Sequence, residues 1–402
     1  MKAIVVGIAL AALAIGTIQP GGRGDVPLVQ VAEADLGEEA CPEGPALAQA
    51  PVADEYLRNL SPVGTLVPPD HVFPTPHMYF YVKNDATPDD IEAPVVSPGD
   101  VLVTAIGIQV YDRLGAKSDY PVYSIYFTPC ADLELYIFNL RRFTHPALLA
   151  ATELCVPEPL GPTRQCRVAV SVRLAAGEEI GTTGDRQAGL GGIDLGARDY
   201  RLTTGRDFAN PDRWCTAGSR AVWLRCYTIC PLDLLPAAVR EPLLDRFVDF
   251  SGTVKRTEEP RCGSVYRDLA ATAQGTWFRT GNVPRAGEGP HVYLGPTAFT
   301  STVEVFSMGT SVPGVAGGAY HFAPREAGLV NRRFADLPAE VVACYETLFR
   351  RLDLGPTTGN VAPETTLLVR LSGTSLEVER RAVSSCGEAP WTIGPDAVHF
   401  ER

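Results

Sequence analysis

The stretch Pro68–Val82, PPDHVFPTPHMYFYV, sets two histidines, His71 and His77, among prolines and directly before an aromatic, strand-like run. Imidazole is the commonest metal ligand in proteins, so the chemistry these residues could do is metal binding. Asp70 adjoins His71, and Pro69, Pro74 and Pro76 stiffen the backbone around both histidines. A catalytic zinc asks for about three protein ligands, an open water position and a base to take the water's proton. The plainer alternative leaves His77 metal-free, packed beside Tyr79 and Tyr81, and makes His71 part of a proline-rich turn.

Other constellations are thinner. His145 precedes Pro146 as a loop residue, and His291, His321 and His399 are far apart, without the i, i+4 spacing of a helical zinc site. The G-x-S-x-G elbow of serine hydrolases is missing. The glycine-rich run over 175–200 lacks a phosphate-binding G-x-x-x-x-G-K-[ST] pattern. Carboxylate pairs for glycoside cleavage carry no sequence spacing, and none is signalled. Ten cysteines are many for a reducing compartment and point to disulfides, with Cys155–Cys166 and Cys344–Cys386 as reasonable pairs. Cys226, Cys230 and Cys262 lack the C-x-x-C spacing of a zinc site.

The elements that must carry these residues read as strands. Glycine (38) and proline (34) are frequent and methionine (3) is scarce, which favours a mainly β protein of two or three domains over helical bundles. Residues 93–112 alternate around a turn at Pro98 and Gly99, with a bend or bulge expected at Gly107. Further strands are expected over 123–128 and 167–174, and 133–142 reads as strand or short helix. Residues 231–247 have helical spacing broken at Pro236 and Pro242. Strands at 291–294, 299–308, 366–371 and 376–379 indicate a second β domain, sandwich or barrel, with a helix expected over 337–350. Gly275 and Trp277 are similar to the G-x-W of lipocalins, although a tryptophan plugging a β core explains them as well.

The formal net charge of -12, with no dense basic run, excludes nucleic acid and anionic membrane surfaces as natural partners. Lys2 followed by the apolar run Ala3–Ile18 would reach roughly 24 Å as a helix, short of a roughly 30 Å hydrocarbon core, so a signal peptide is expected and not a membrane span. Arg23-Gly24-Asp25 in the following spacer is too short a match to imply integrin binding.

The order of the pieces resembles the lysostaphin-type (LytM-like) zinc endopeptidases, with their duplicated hybrid motif fold, over about residues 60–200. His77 stands at the first zinc-ligand position, Ala93–Val101 at the A-P-x-x-G-x-V hairpin, and Leu135–Leu140 at the Y-x-H-L strand. Gly177, Ile180, Gly181 and Gly184 match the G-x-x-I-G-x-x-G turn, and Gly192–Gly196 the closing H-x-H-F-E strand. The resemblance implies a small antiparallel β core. It also implies lost chemistry: Tyr81 replaces the second ligand, Asn139 and Gly192 replace the catalytic histidines, and Asp194 replaces the last zinc ligand.

The expectation is therefore a secreted or cell-envelope protein, not membrane-embedded after processing. Signal peptide and the start of a spacer fill residues 1–34 and a linker 35–59. A lysostaphin-like domain follows at 60–200, a loop and helix connection at 201–270, and a carboxyl-terminal β domain at 271–402. The first domain would be a non-catalytic pseudoenzyme without cofactor, presenting a groove of His77, Tyr79, Tyr81, Asn139 and Asp194 to peptidoglycan or another envelope peptide or glycan. Two alternatives stay open. One is an active hydrolase whose zinc sits on His77, Asp194 and a third ligand such as His71 or Asp70. The other is small-ligand binding by the carboxyl-terminal domain.

Overall fold

Period-two alternation of β-branched and aromatic residues with polar ones dominates this chain, and strands dominate the computed structural model. It describes residues 39–69, 71–83, 92–111, 121–160, 163–183, 191–202, 208–209, 211, 225–249, 252–281, 287–350 and 365–402. The expected signal peptide, Arg23–Asp25, Asp70, Gly184 and Cys215 lie outside the described residues.

The first sheet comprises β1 (Leu57–Ser61), β2 (His77–Val82), β3 (Pro94–Val96), β4 (Val101–Tyr111), β5 (Pro121–Cys130), β6 (Leu133–Phe143), β7 (Glu158–Leu160), β8 (Thr163–Leu174), β9 (Glu179–Thr183), β10 (Gly192–Asp199) and β11 (Thr228–Ile229). Its main path runs β1-β2-β10-β6-β5-β4-β8-β7, with β9 joining β3 to β6 and β11 lying on β10. Every pairing among these strands is antiparallel. The expected bulge falls at Val103–Ala105 and not at Gly107. Gly107 answers a different need: a Cβ there would stand 2.5 Å from Ser124 Oγ.

Two short helices, α1 (Pro146–Ala151) and α2 (Ala237–Leu244), flank the sheet. The break expected at Pro236 occurs, whereas Pro242 is accommodated inside α2.

The second β domain is a closed barrel of β12 (Gly275–Arg279), β13 (Val292–Pro296), β14 (Glu304–Met308), β15 (Gly318–Phe322), β16 (Val342–Arg350), β17 (Thr365–Ser372), β18 (Ser375–Arg381) and β19 (Val398–Glu401). The helix expected over 337–350 is instead strand β16. Alternate residues Ala343, Tyr345 and Thr347 are all buried, and pairing with β17 outweighs local helical spacing. Side chains fill the barrel interior, among them Trp277, Phe306, Met308, Phe334, Tyr345 and Phe400.

Two boundaries need correction. From residue 41 the stretch expected as a linker is part of the first domain: Leu47, Val52 and Leu57 are in its core, and Cys41 is bonded to Cys130. Within the expected 201–270 connection, Leu232, Leu243 and Phe247 enter the same core. Both disulfides expected from sequence form, Cys155–Cys166 and Cys344–Cys386, and Cys230–Cys262 removes the cysteine zinc site as a possibility. Cys226 is disulfide-bonded as well.

The barrel's outer face docks onto the first core through Phe278, Tyr293, Val305 and Ala319. At the junction, buried Arg225 donates to Glu288 Oε1 (2.9 Å) and to the Pro74 carbonyl (2.9 Å), while the Phe73 amide donates to Glu288 Oε2 (2.7 Å). The barrel thereby fixes the proline-rich lip that carries the histidines.

Candidate functional site

Strand β2 lies between β1 and β10, and all six of its residues are buried. Its alternation sends His77, Tyr79 and Tyr81 to one face. Across the pairing, Gly196 faces His77, Asp194 faces Tyr79 and Gly192 faces Tyr81. On the far side of β10, strand β6 sets Tyr136 opposite Gly196 and Phe138 opposite Asp194. Gly196 is demanded by Tyr136: a Cβ there would come within 2.0 Å of the phenol ring, whose hydroxyl donates to the Pro76 carbonyl at 2.9 Å.

The residues singled out in sequence converge. His77 Nε2 stands 3.6 Å from Asp194 Oδ2, and Asn139 Nδ2 donates to the same oxygen at 2.9 Å. Asn139 has φ 63°, left-handed backbone that asparagine tolerates better than most residues, and β6 shifts register just beyond it. The rings of His77 and Tyr79 meet edge to face at 5.0 Å, and Tyr79 stacks with Tyr81 at 6.0 Å. His71, held by paired backbone bonds to Val67, stands edge-on to His77 with ring centroids 5.4 Å apart.

The face is closed. His77 is 3% exposed, Tyr79 4%, Tyr81 5% and Asp194 7%, so these side chains form a packed polar seam and not the open groove expected from sequence. Two sizeable clefts occur elsewhere: one of about 530 Å³ between α2 and residues 259–266, and one of about 610 Å³ on the barrel. Neither is lined by any of the five candidate residues.

Burial sets the protonation states. It holds the His77 imidazole well below its ordinary value, helped by the nearby His71, Arg225 and Arg198. Burial pushes the Asp194 carboxyl up to about 7, against the pull of the Asn139 amide. The pair therefore meets as a neutral imidazole and a carboxyl close to half-protonation at neutral pH, and not as a fixed ion pair. His77 Nε2 has no hydrogen bond, and the Tyr79 hydroxyl, turned toward Thr75, has none of good geometry. Burial keeps the Tyr79 and Tyr81 phenols protonated, raising both far above their ordinary value, so Tyr81 is a poor stand-in for a carboxylate ligand.

Among the described residues no group of three or more His, Cys, Asp or Glu is arranged to hold a metal ion. His71, His77 and Asp194 are neighbours without reaching that arrangement. Asp70 lies outside the described residues. The remaining four histidines are elsewhere: His145 bonds Glu178 at 3.0 Å, His291 accepts from the Arg279 amide at 3.0 Å, His321 is in β15, and His399 lies on the barrel.

Sequence reading missed Arg225 and Glu288, which pin the lip to the barrel. They are separated by 63 residues and carry no motif that could have joined them. In comparisons with known proteins, no family model, curated protein or solved structure matches the chain.

Proposed function

We propose that the chain is a secreted, disulfide-bonded, non-catalytic module of the cell envelope that binds a peptide or glycan. The reading rests on the sequence resemblance of residues 60–200 to a lysostaphin-like site that lacks that site's chemistry. One observation carries the non-catalytic part of the reading: Asp194 is bonded to Asn139 and abuts a neutral His77 in a face sealed from solvent. Metal-assisted hydrolysis needs an open coordination position and a proton acceptor beside it. Here the positions that the resemblance assigns to catalytic histidines hold Asn139 and Gly192.

Export is supported by the disulfides Cys41–Cys130, Cys155–Cys166, Cys230–Cys262 and Cys344–Cys386 together with the bonded Cys226. Ligand binding inside the barrel is disfavoured by its filled interior. An atypical zinc hydrolase is the second reading, and the nearness of His77 to the His71 ring on one hand and to Asp194 on the other is what favours it.

The experiment is metal analysis of zinc-replete protein, a muropeptide hydrolysis assay and co-sedimentation with purified peptidoglycan. The expected result is zinc well below one per chain, no turnover and saturable sedimentation. Stoichiometric zinc with turnover lost in His77→Ala would transfer the assignment to the hydrolase. Failure to sediment with peptidoglycan would remove the envelope ligand.

A further inference from the structure

The barrel carries a cleft that the first sheet's site does not touch. Strands β12 and β18 lie on either side of β19, and each contributes one arginine to the cleft: half-buried Arg279 from β12 and exposed Arg380 from β18. Among the described residues, neither guanidinium forms an ion pair or donates a hydrogen bond. Elsewhere on the barrel Arg325 pairs with Glu346, Arg333 with Glu304 and Arg370 with Glu377, and Arg402 lies over Trp277, while Arg381, unpaired among the described residues, does not line the cleft. In a chain of net charge -12, carboxylates are plentiful, so two unpaired arginines in one concavity stand out from that pattern. Asp396 lines the same cleft and bridges to neither of them. His399, on the cleft wall, has its Nδ1 3.6 Å from Glu377, which leaves Nε2 to face elsewhere.

The Arg380 guanidinium is also positioned. A Cβ on Gly314 would meet Arg380 Nη1 at 3.0 Å, and Gly314 has φ 73°, so the turn at Pro313–Gly314 offers bare backbone against which the guanidinium lies. An arginine fork recognises planar or tetrahedral oxyanions through paired N–H donors. At about 610 Å³ the cleft falls within the roughly 300–1,000 Å³ range of small-molecule sites.

We propose that this cleft is an anion site, in which Arg279 and Arg380 together hold a phosphate or carboxylate group borne on a small ligand such as an acidic sugar. The inference is independent of the reading of the first sheet, because none of its residues belongs to that face.

The test is titration calorimetry on the full chain with inorganic phosphate and, separately, glucuronate. Saturable binding of either probe is expected, and the preferred one identifies the source as phosphoryl or carboxylate. Arg279→Gln with Arg380→Gln should weaken binding at least about tenfold, since both charge-assisted donors to the anion are lost. Gly314→Ala should weaken it less. Arg325→Gln, which removes an ion-paired cation elsewhere on the barrel, should leave binding unchanged, and an unaltered thermal transition checks that each variant is folded. Absence of saturable binding to both probes, an undiminished double glutamine variant, or an equal loss in Arg325→Gln would overturn the proposal.

Discussion

The first sheet and the barrel bury their centres equally well but fill them differently. In the barrel, Phe306, Phe322, Phe334 and Tyr345 pack edge to face, stacked or tilted at 4.8–6.0 Å, and the buried carboxylate Glu304 accepts from the Phe334 amide at 2.9 Å and from Arg333. In the first sheet, the seam of His77, Tyr79, Tyr81 and Asp194 brings two ionisable groups together with a single donor, Asn139, on the carboxylate. A buried polar group without its partners costs about 1–3 kcal/mol, more where charge is involved. The barrel centre is what packing for stability produces. The seam leaves His77 Nε2 and the Tyr79 hydroxyl without such partners, which is the cost the proposed ligand site would carry.

The largest effect that tests this contrast belongs to the barrel. Phe334→Ala should cost about 3–5 kcal/mol, the range for emptying a large aromatic from a core. Urea unfolding followed through tryptophan fluorescence, with Trp277 as the reporter within that core, measures it. A cost below about 1 kcal/mol would mean a loosely packed barrel and would dissolve the comparison.

Next comes the pH dependence of the seam. Between the ordinary carboxylate value of 3.8 and about 7, folded Asp194 keeps a proton that the unfolded chain has released. Its contribution to stability therefore falls as pH rises through that window, by up to about 1.4 kcal/mol per unit. Folded His77 titrates well below 6.5 and holds fewer protons than the unfolded chain, so its contribution falls as pH drops below 6.5. In the native protein these slopes oppose each other. Asp194→Asn should leave a protein that weakens on acidification below pH 6.5, and His77→Gln one that weakens as pH rises from 4 to 7. Melting temperatures from pH 4 to 8 read both. Parallel profiles for the two variants would show that the seam is not sealed in solution, and the contrast with the barrel would fail.

What could be read from sequence follows from the range of the interactions involved. Strand β18 and the hairpin it forms with β17 are written in a local period of two, and Trp277 sits in the core as a plugging tryptophan should. Asn139 and Asp194, 55 residues apart, carry no local signal that joins them; only the resemblance sets them in one site, and they do meet. Solvent access could not be read in the same way. Whether a face is a groove or a seam depends on what packs over it, and Arg225, Glu288 and the barrel come from distant parts of the chain. Strand β16 departs from its helical spacing for a related reason, since its partner β17 and not that spacing decides its form.

The smallest predicted effect is the sharpest comparison of the two centres, because each holds a tyrosine hydroxyl without a hydrogen bond of good geometry, Tyr79 in the seam and Tyr345 in the barrel. Removing an unsatisfied hydroxyl while keeping the ring should be neutral or stabilising by up to about 1 kcal/mol. Tyr79→Phe and Tyr345→Phe should therefore behave alike in unfolding experiments. They should differ in sedimentation with peptidoglycan if the seam opens to its ligand: Tyr79→Phe then loses affinity by several-fold while Tyr345→Phe keeps it, since one hydrogen bond contributes about 1 kcal/mol. Equal affinities for the two variants would assign the Tyr79 hydroxyl to the scaffold, and the seam would then be a relic in the fold without a part in binding.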